Sequence, residues 1–133
     1  MKIHHFSILC ADIWRSLAFY EALGFVIVTR FTAGTTLGCW LEGLGMRLEL
    51  MQVPTPSPPA NPFGDEGYVG YYHLSLAVDD VGQTLEGLGS ILGTVRILLL
   101  PREQIIGDRT YRVSFIADPD GLPIELLQDV TVH

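Results

Sequence analysis

The chain has 133 residues, 48% of them hydrophobic and 17% charged, so it is long enough to bury a core and too apolar to be disordered. Its formal net charge of −7 disfavours a nucleic-acid backbone or an anionic membrane surface as partner, while leaving room for a local arginine that binds a small anion. Cys10 and Cys39 are the only cysteines; their spacing makes neither a disulfide framework nor a zinc–thiolate motif, and they read as buried reduced thiols. No secretory pattern follows Met1-Lys2 and no apolar run reaches membrane-spanning length, so a soluble cytoplasmic protein is expected.

Residues 3–11 alternate large apolar side chains with others and predict a strand. Asp12 is a good N-cap, and Ile13, Leu17, Tyr20 and Leu23 then recur at helical spacing up to Gly24, a suitable C-cap. Strands are expected over Phe25 to Phe31, Leu37 to Leu41 and Met46 to Val53, with turns at Ala33-Gly34-Thr35 and Glu42-Gly43-Leu44-Gly45. Residues 54–62 hold five of the eight prolines and resist both helix and sheet, so residues 54–70 predict a linker. The order then repeats. His73 to Val78 predicts a strand, and Asp80 caps a helix with Val81, Leu85 and Leu88 on one face, ending near Gly89. Val95 to Leu100 predicts a strand, 103–109 a loop around Gly107-Asp108, and Tyr111 to Ala117 another strand. Asp118-Pro119-Asp120-Gly121 is a turn, and Pro123 to Gln128 closes the chain's last strand.

Two halves of βαβββ order thus emerge, and their ends match residue by residue. His5-Phe6-Ser7 through Asp12 answers His73-Leu74-Ser75 through Asp80, and Arg47-Leu48-Glu49-Leu50-Met51-Gln52 answers Pro123-Ile124-Glu125-Leu126-Leu127-Gln128. Strand side chains alternate between faces. His5 and Ser7 oppose Phe6 and Ile8; His73 and Ser75 oppose Leu74 and Leu76; Glu49 opposes Leu48 and Leu50; Glu125 opposes Ile124 and Leu126. Four strands therefore place one ionisable residue each on the face away from the helix, where a carboxylate between apolar neighbours needs a partner. The same alternation sends His4 to the helix side and selects His5 as the repeat's histidine. Two His and two Glu make a possible metal site.

The duplication, the run Asp12…Ser16-Leu17-Ala18-Phe19-Tyr20…Leu23-Gly24-Phe25 and the closing Asp118-Pro119-Asp120-Gly121…Ile124-Glu125-Leu126 resemble the vicinal oxygen chelate superfamily over essentially the whole chain. That group includes glyoxalase I, bleomycin-binding resistance proteins, fosfomycin resistance enzymes and extradiol dioxygenases. The resemblance implies an α+β fold in which two βαβββ modules (about 1–53 and 71–133) form a curved, partly open mixed sheet around a cavity, helices outside, as a single domain over 1–133. It implies metal ligands at His5, Glu49, His73 and Glu125, a set most similar to bacterial-type glyoxalase I. One divalent ion per site is implied, Ni, Co, Zn, Mn or Fe. Fe(II) would suit an extradiol-type dioxygenase, and a chain without metal would suit a bleomycin-resistance-like binding protein.

The leading expectation is a metal-dependent lyase or isomerase acting on a small oxygenated carbonyl compound. The ion acts as a Lewis acid, and Glu125 or Glu49 serves as general base. Arg47, on Glu49's face, either binds an anionic group or forms an ion pair with Glu49. Trp40, Tyr111 and Phe115 are core aromatics or pocket walls; Arg47, Tyr111 and Phe115 are the candidates for substrate contact. Two open half-sheets close a cavity within one chain or between two, and a homodimer is expected, with a small molecule as the other partner.

Overall fold

The computed structural model describes residues 1–132; His133, the last residue of the expected second module, lies outside the described residues. The chain divides into two compact units, Met1–Pro58 and the chain from Pro59 onward, so the division falls inside the proline-rich stretch. The elements of the first are β1 (Phe6–Cys10), α1 (Ile13–Leu23), β2 (Val26–Ala33), β3 (Thr36–Gly43) and β4 (Met46–Gln52). Those of the second are β5 (Leu74–Ala77), α2 (Val81–Leu92), β6 (Ile97–Ile106), β7 (Arg109–Ala117) and β8 (Pro123–Asp129). The fold is α+β: each unit is an open four-stranded mixed sheet with one helix, in the orders β1-β4-β3-β2 and β5-β8-β7-β6. In each, the first and last strands pair in parallel and the rest are antiparallel.

The repeat is visible in how each helix starts. Asp12 accepts hydrogen bonds from the N–H groups of Trp14 and Arg15, and Gln52 at the end of β4 accepts from Ile13 N–H at 2.9 Å. In the second unit Asp80 accepts from Gln83 N–H, and Gln128 accepts from Val81 N–H at 3.0 Å. The Asp and Gln that recur in the sequence are therefore the caps that satisfy each helix's orphan donors and tie it to the closing strand. α1 ends on Gly24 at φ 118°, a left-handed conformation that favours glycine. α1 packs on β4 over Leu48 and Leu50, and α2 on β7 and β8 over Ile116, Ile124 and Leu126, all buried. Burying these apolar faces is the main stabilising term for each sheet.

Several boundaries differ from expectation: β1 starts at Phe6 and not at residue 3, and β2 and β3 run on to Ala33 and Gly43, into the expected turns. α2 continues past Gly89 to Leu92 and stops at Gly93, at φ 80°, whose N–H donates to Gly89 O. Residues 103–106 are strand, not loop: β6 pairs with β7 from Ile97↔Ile116 to Ile106↔Arg109, so Gly107-Asp108 is a tight hairpin turn. Pro101 is accommodated in β6 where the register shifts between Leu99 and Arg102, consistent with the missing N–H of proline. The Asp118–Gly121 turn forms as expected, with the buried Asp118 carboxylate accepting from the N–H groups of Asp120 and Leu122. Cys10 and Cys39 are both buried and form no disulfide. No helix among the described residues is long and apolar enough to cross a membrane.

Candidate functional site

Each unit carries one His–Ser–Glu constellation, and strand register puts it together. In the first, Ser7 is the parallel partner of Glu49 and Trp40 its antiparallel partner, so three neighbouring strands place three side chains on one rung. Ser7 Oγ donates to Glu49 Oε1 at 2.7 Å, Trp40 Nε1 donates to Glu49 Oε2 at 2.8 Å, and His5 Nε2 lies 3.5 Å from Glu49 Oε1. In the second, Ser75 and Phe115 are the register partners of Glu125. Ser75 Oγ donates to Glu125 Oε1 at 2.6 Å, and His73 Nε2 lies 3.6 Å from the same oxygen. Phenylalanine has no donor, and among the described residues Ser75 is the one hydrogen-bond donor to Glu125. The two carboxylates are equally sheltered, 16% and 14% exposed, so hydrogen bonding and not burial distinguishes them.

The difference reaches Glu49's acidity. Burial pushes its carboxyl up, but the Trp40 and Ser7 hydrogen bonds and the nearby His5 and His4 rings outweigh it, and the net direction is down. Trp40 is itself held by a cluster. Phe31 packs against it at 5.7 Å between ring centroids, and Gly38 leaves the room: a Cβ there would meet the Phe31 ring at 2.5 Å and Met51 Sδ at 2.8 Å.

His4 differs from expectation. The strand begins only at Phe6, so alternation does not extend back to residue 4. Its ring lies edge-on to Trp40, 5.1 Å away, on the Glu49 face. Arg47 Nη1 is 2.9 Å from His4 Nε2, and His4 Nδ1 is 2.7 Å from His5 Nδ1. Arginine only donates, so a neutral His4 accepts at Nε2, carries its proton on Nδ1 and donates to His5, whose own proton then sits on Nε2 toward Glu49. Arg47's carboxylate partner is Glu42, at 2.5 Å, and not Glu49, and its guanidinium lies 5.5 Å over the Trp40 ring.

In the second unit His73 is edge-on to Phe115 (4.9 Å) and to Tyr72 (4.4 Å), and Phe63 packs on Phe115 at 5.0 Å. Tyr111 shares Phe115's face of β7 but pairs with Asp129, four residues along the strand and about 13 Å from the Glu125 rung. The structure thus joins His5 to Glu49 and His73 to Glu125, seats Phe115 beside the second pair, and sets Tyr111 apart from it. The roles of Trp40, Ser7 and Ser75 as carboxylate donors were open to sequence reading only in part: the serine recurs two residues after each histidine, whereas the Trp40 hydrogen bond depends on antiparallel register.

Nitrogen and oxygen donors stand about 2.0–2.2 Å from a zinc-like ion, so two donors on one ion are at most about 4.3 Å apart. The 3.5 and 3.6 Å separations fall within that limit, and imidazole with carboxylate is a suitable donor set for a divalent ion. Among the described residues no three or more His, Cys, Asp or Glu side chains are gathered into a metal-holding cluster; each pair offers two donors.

Comparison with known proteins agrees with this architecture. Residues 2–126 match the family described as the Glyoxalase/Bleomycin resistance protein/Dioxygenase superfamily. The chain is 30% identical to YaeR of Escherichia coli (strain K12), over 96% of its own length and 95% of that protein. It is also 30% identical to Glyoxylase I 4 of Arabidopsis thaliana, over 94% of its length and 69% of that protein. In fold it is similar to the glyoxalase family protein from Enterococcus faecalis, with TM-score 0.76 at 23% identity over 95% of this chain and 96% of that one.

Proposed function

Because the chain belongs to the Glyoxalase/Bleomycin resistance protein/Dioxygenase superfamily, whose members commonly use a divalent metal, we propose that it is a metal-dependent enzyme of glyoxalase-like, lyase or isomerase type. Its substrate is a small carbonyl compound with a second oxygen next to the carbonyl. The carrying observation is the matched pair of His–Glu contacts, each with a serine fixing the carboxylate. His5, Glu49, His73 and Glu125 are the ligands this reading proposes, two from each unit. A divalent ion held there would supply Lewis acidity that stabilises negative charge developing on the substrate oxygen.

The chain's own residues divide the remaining work. Glu49, gripped at both oxygens, stays ionised and in place, which suits a permanent ligand. Glu125 has a donor on Oε1 alone, so its other oxygen is available to take a proton from the carbon beside the substrate carbonyl. As a ligand through Nε2, His5 would have to be without the proton it holds there, and its hydrogen-bond chain through His4 to Arg47 would have to reverse or break. Phe115 forms an apolar wall next to His73 and excludes water from that carbon. Arg47 is the candidate for a substrate's anionic group, exchanging Glu42 for it; Tyr111 is a more distant contact.

Titration of the purified, metal-stripped protein with Ni, Co, Zn, Mn and Fe(II), followed by calorimetry, tests the reading. One tightly bound ion per site is expected, with affinity falling at least tenfold in Glu49→Gln and in His73→Ala. A protein that takes up none of these ions, or whose uptake ignores both substitutions, sinks it.

A further inference from the structure

A cavity of about 350 Å³ lies in the first unit between the start of α1 and the β2–β3 hairpin. Trp14 and Leu17 line it from the helix, Ile27 and Leu37 from the strands, and Arg30 and Cys39 from one cross-strand rung. Cys39 in turn pairs with Leu50, whose side chain opposes Glu49, so this rung faces the helix side of the sheet and not the His5–Glu49 side. The volume is within the range of small-molecule sites, at its lower end, and such sites combine apolar walls with a few polar groups that orient the ligand.

Arg30 is the one charged side chain among the lining residues. The chain has 15 acidic residues against 8 Lys and Arg, and Arg47, Arg109 and Arg112 each lie against a carboxylate. Among the described residues none does so for Arg30, Arg96 or Arg102, and of these three Arg30 is the one that lines the cavity. An arginine without a carboxylate on so acidic a protein, beside an apolar hollow, is complementary to an anion that carries an apolar body. Its neighbour does not compete for it. Burial pushes the Cys39 thiol up, more than its backbone hydrogen bond with Leu50 and the Arg30 charge pull it down, so the thiol stays neutral. Two large apolar side chains at the cavity, Trp14 (65% exposed) and Leu37 (38% exposed), remain open to solvent and offer surface for a ligand to cover.

We propose that this cavity is a second small-molecule site, separate from the His–Glu pairs, that takes a monocarboxylate with a compact apolar body. The guanidinium fork of Arg30 receives the carboxylate in bidentate fashion, and Trp14, Leu17 and Leu37 receive the body. The occupant's charge, and not only its hydrophobicity, sets its affinity.

Calorimetry on the full chain with octanoate and with 1-octanol separates the two contributions. Octanoate is expected to bind once per chain. R30Q should weaken octanoate about tenfold, the worth of a charged hydrogen-bonded contact, and change octanol less than twofold. R30K, which keeps the charge and loses the fork, should fall between. W14A should weaken both ligands. Glu49→Gln should weaken neither, which keeps this test independent of the metal reading. Octanoate that fails to bind, or binds R30Q as it binds the parent, overturns the proposal. So does octanoate binding that Glu49→Gln abolishes, or a dimer of the parent chain that R30Q dissociates, which assigns the cavity to a second copy.

Discussion

The two His–Ser–Glu rungs are the same construction with one part exchanged. Both place a glutamate on the closing strand beside a serine from the parallel first strand, and both set a histidine 3.5–3.6 Å from the same glutamate oxygen. The third position of the rung differs: Trp40 opposite Glu49, Phe115 opposite Glu125. Duplication of a ladder copies register, and register copies which residues meet. Chemistry diverges where the copies hold different side chains on the same rung. One carboxylate is clamped at both oxygens and the other at one, although their exposure is nearly equal.

The largest test of that contrast is catalytic. With a divalent ion at saturation, exchange of the α-protons of hydroxyacetone into deuterated water, followed by NMR, should fall roughly 10²- to 10⁴-fold in Glu125→Gln, the range of a lost general base. Glu49→Gln should lose less under the same saturation. Equal losses would mean that the clamp on Glu49 does not divide the labour.

Next in size is the clamp itself. W40F removes the donor to Glu49 Oε2 and should cost about 1.5–3 kcal/mol in urea unfolding, the worth of a hydrogen bond to a charged group. The reciprocal F115W should not gain what W40F loses. Phe115 is 6% exposed and surrounded by Phe63, Tyr72 and His73, so an indole overpacks the site, at a cost of roughly 1–3 kcal/mol. A stabilised F115W would show that the two rungs are interchangeable. Smaller again is the serine pair. S75A removes the single described donor to Glu125 and should lower ion affinity about tenfold, whereas S7A leaves Trp40 in place and should lower it by a smaller factor. Calorimetric titration of both variants with one ion reads the ratio.

Most of the ladder was legible in the sequence because it repeats. Matching His5 to His73 and Glu49 to Glu125 aligned the two βαβββ halves, and alternation put each glutamate opposite its apolar neighbours, in keeping with the buried Leu48 and Leu50 of β4, the strand that α1 contacts. The recurring Gln52 and Gln128 were visible as a match, but their role as helix caps requires knowing that β4 and β8 end beside the helix starts. Alternation failed at His4, which lies outside β1 and is steered by Arg47 and Trp40. It also missed β6 past Pro101, since a polar run such as Arg102-Glu103-Gln104 carries little strand signal by itself and is held by pairing with β7.

The smallest expected effect is on acid stability, because Glu49's acidity is the remainder of opposing influences: burial raises it, and Trp40, Ser7 and the histidines lower it by more. The folded carboxyl is thus more acidic than the unfolded one, whose ordinary value is 4.5. Glu49 therefore contributes stability that is fully present above that value. As the pH drops, the unfolded chain takes up the proton first, and the contribution shrinks until the folded carboxyl is protonated as well, below which it is gone. Metal-free protein unfolded in urea from about pH 6 down to about pH 3 should lose stability across this window, and E49Q should lose less. W40F should sit between them, since it removes the first of the lowering influences and leaves Ser7 and the histidines. An acid limb of identical slope in all three chains would mean that the Trp40–Glu49 hydrogen bond carries no preference for the ionised form, and with it the contrast between the two rungs would reduce to shape alone.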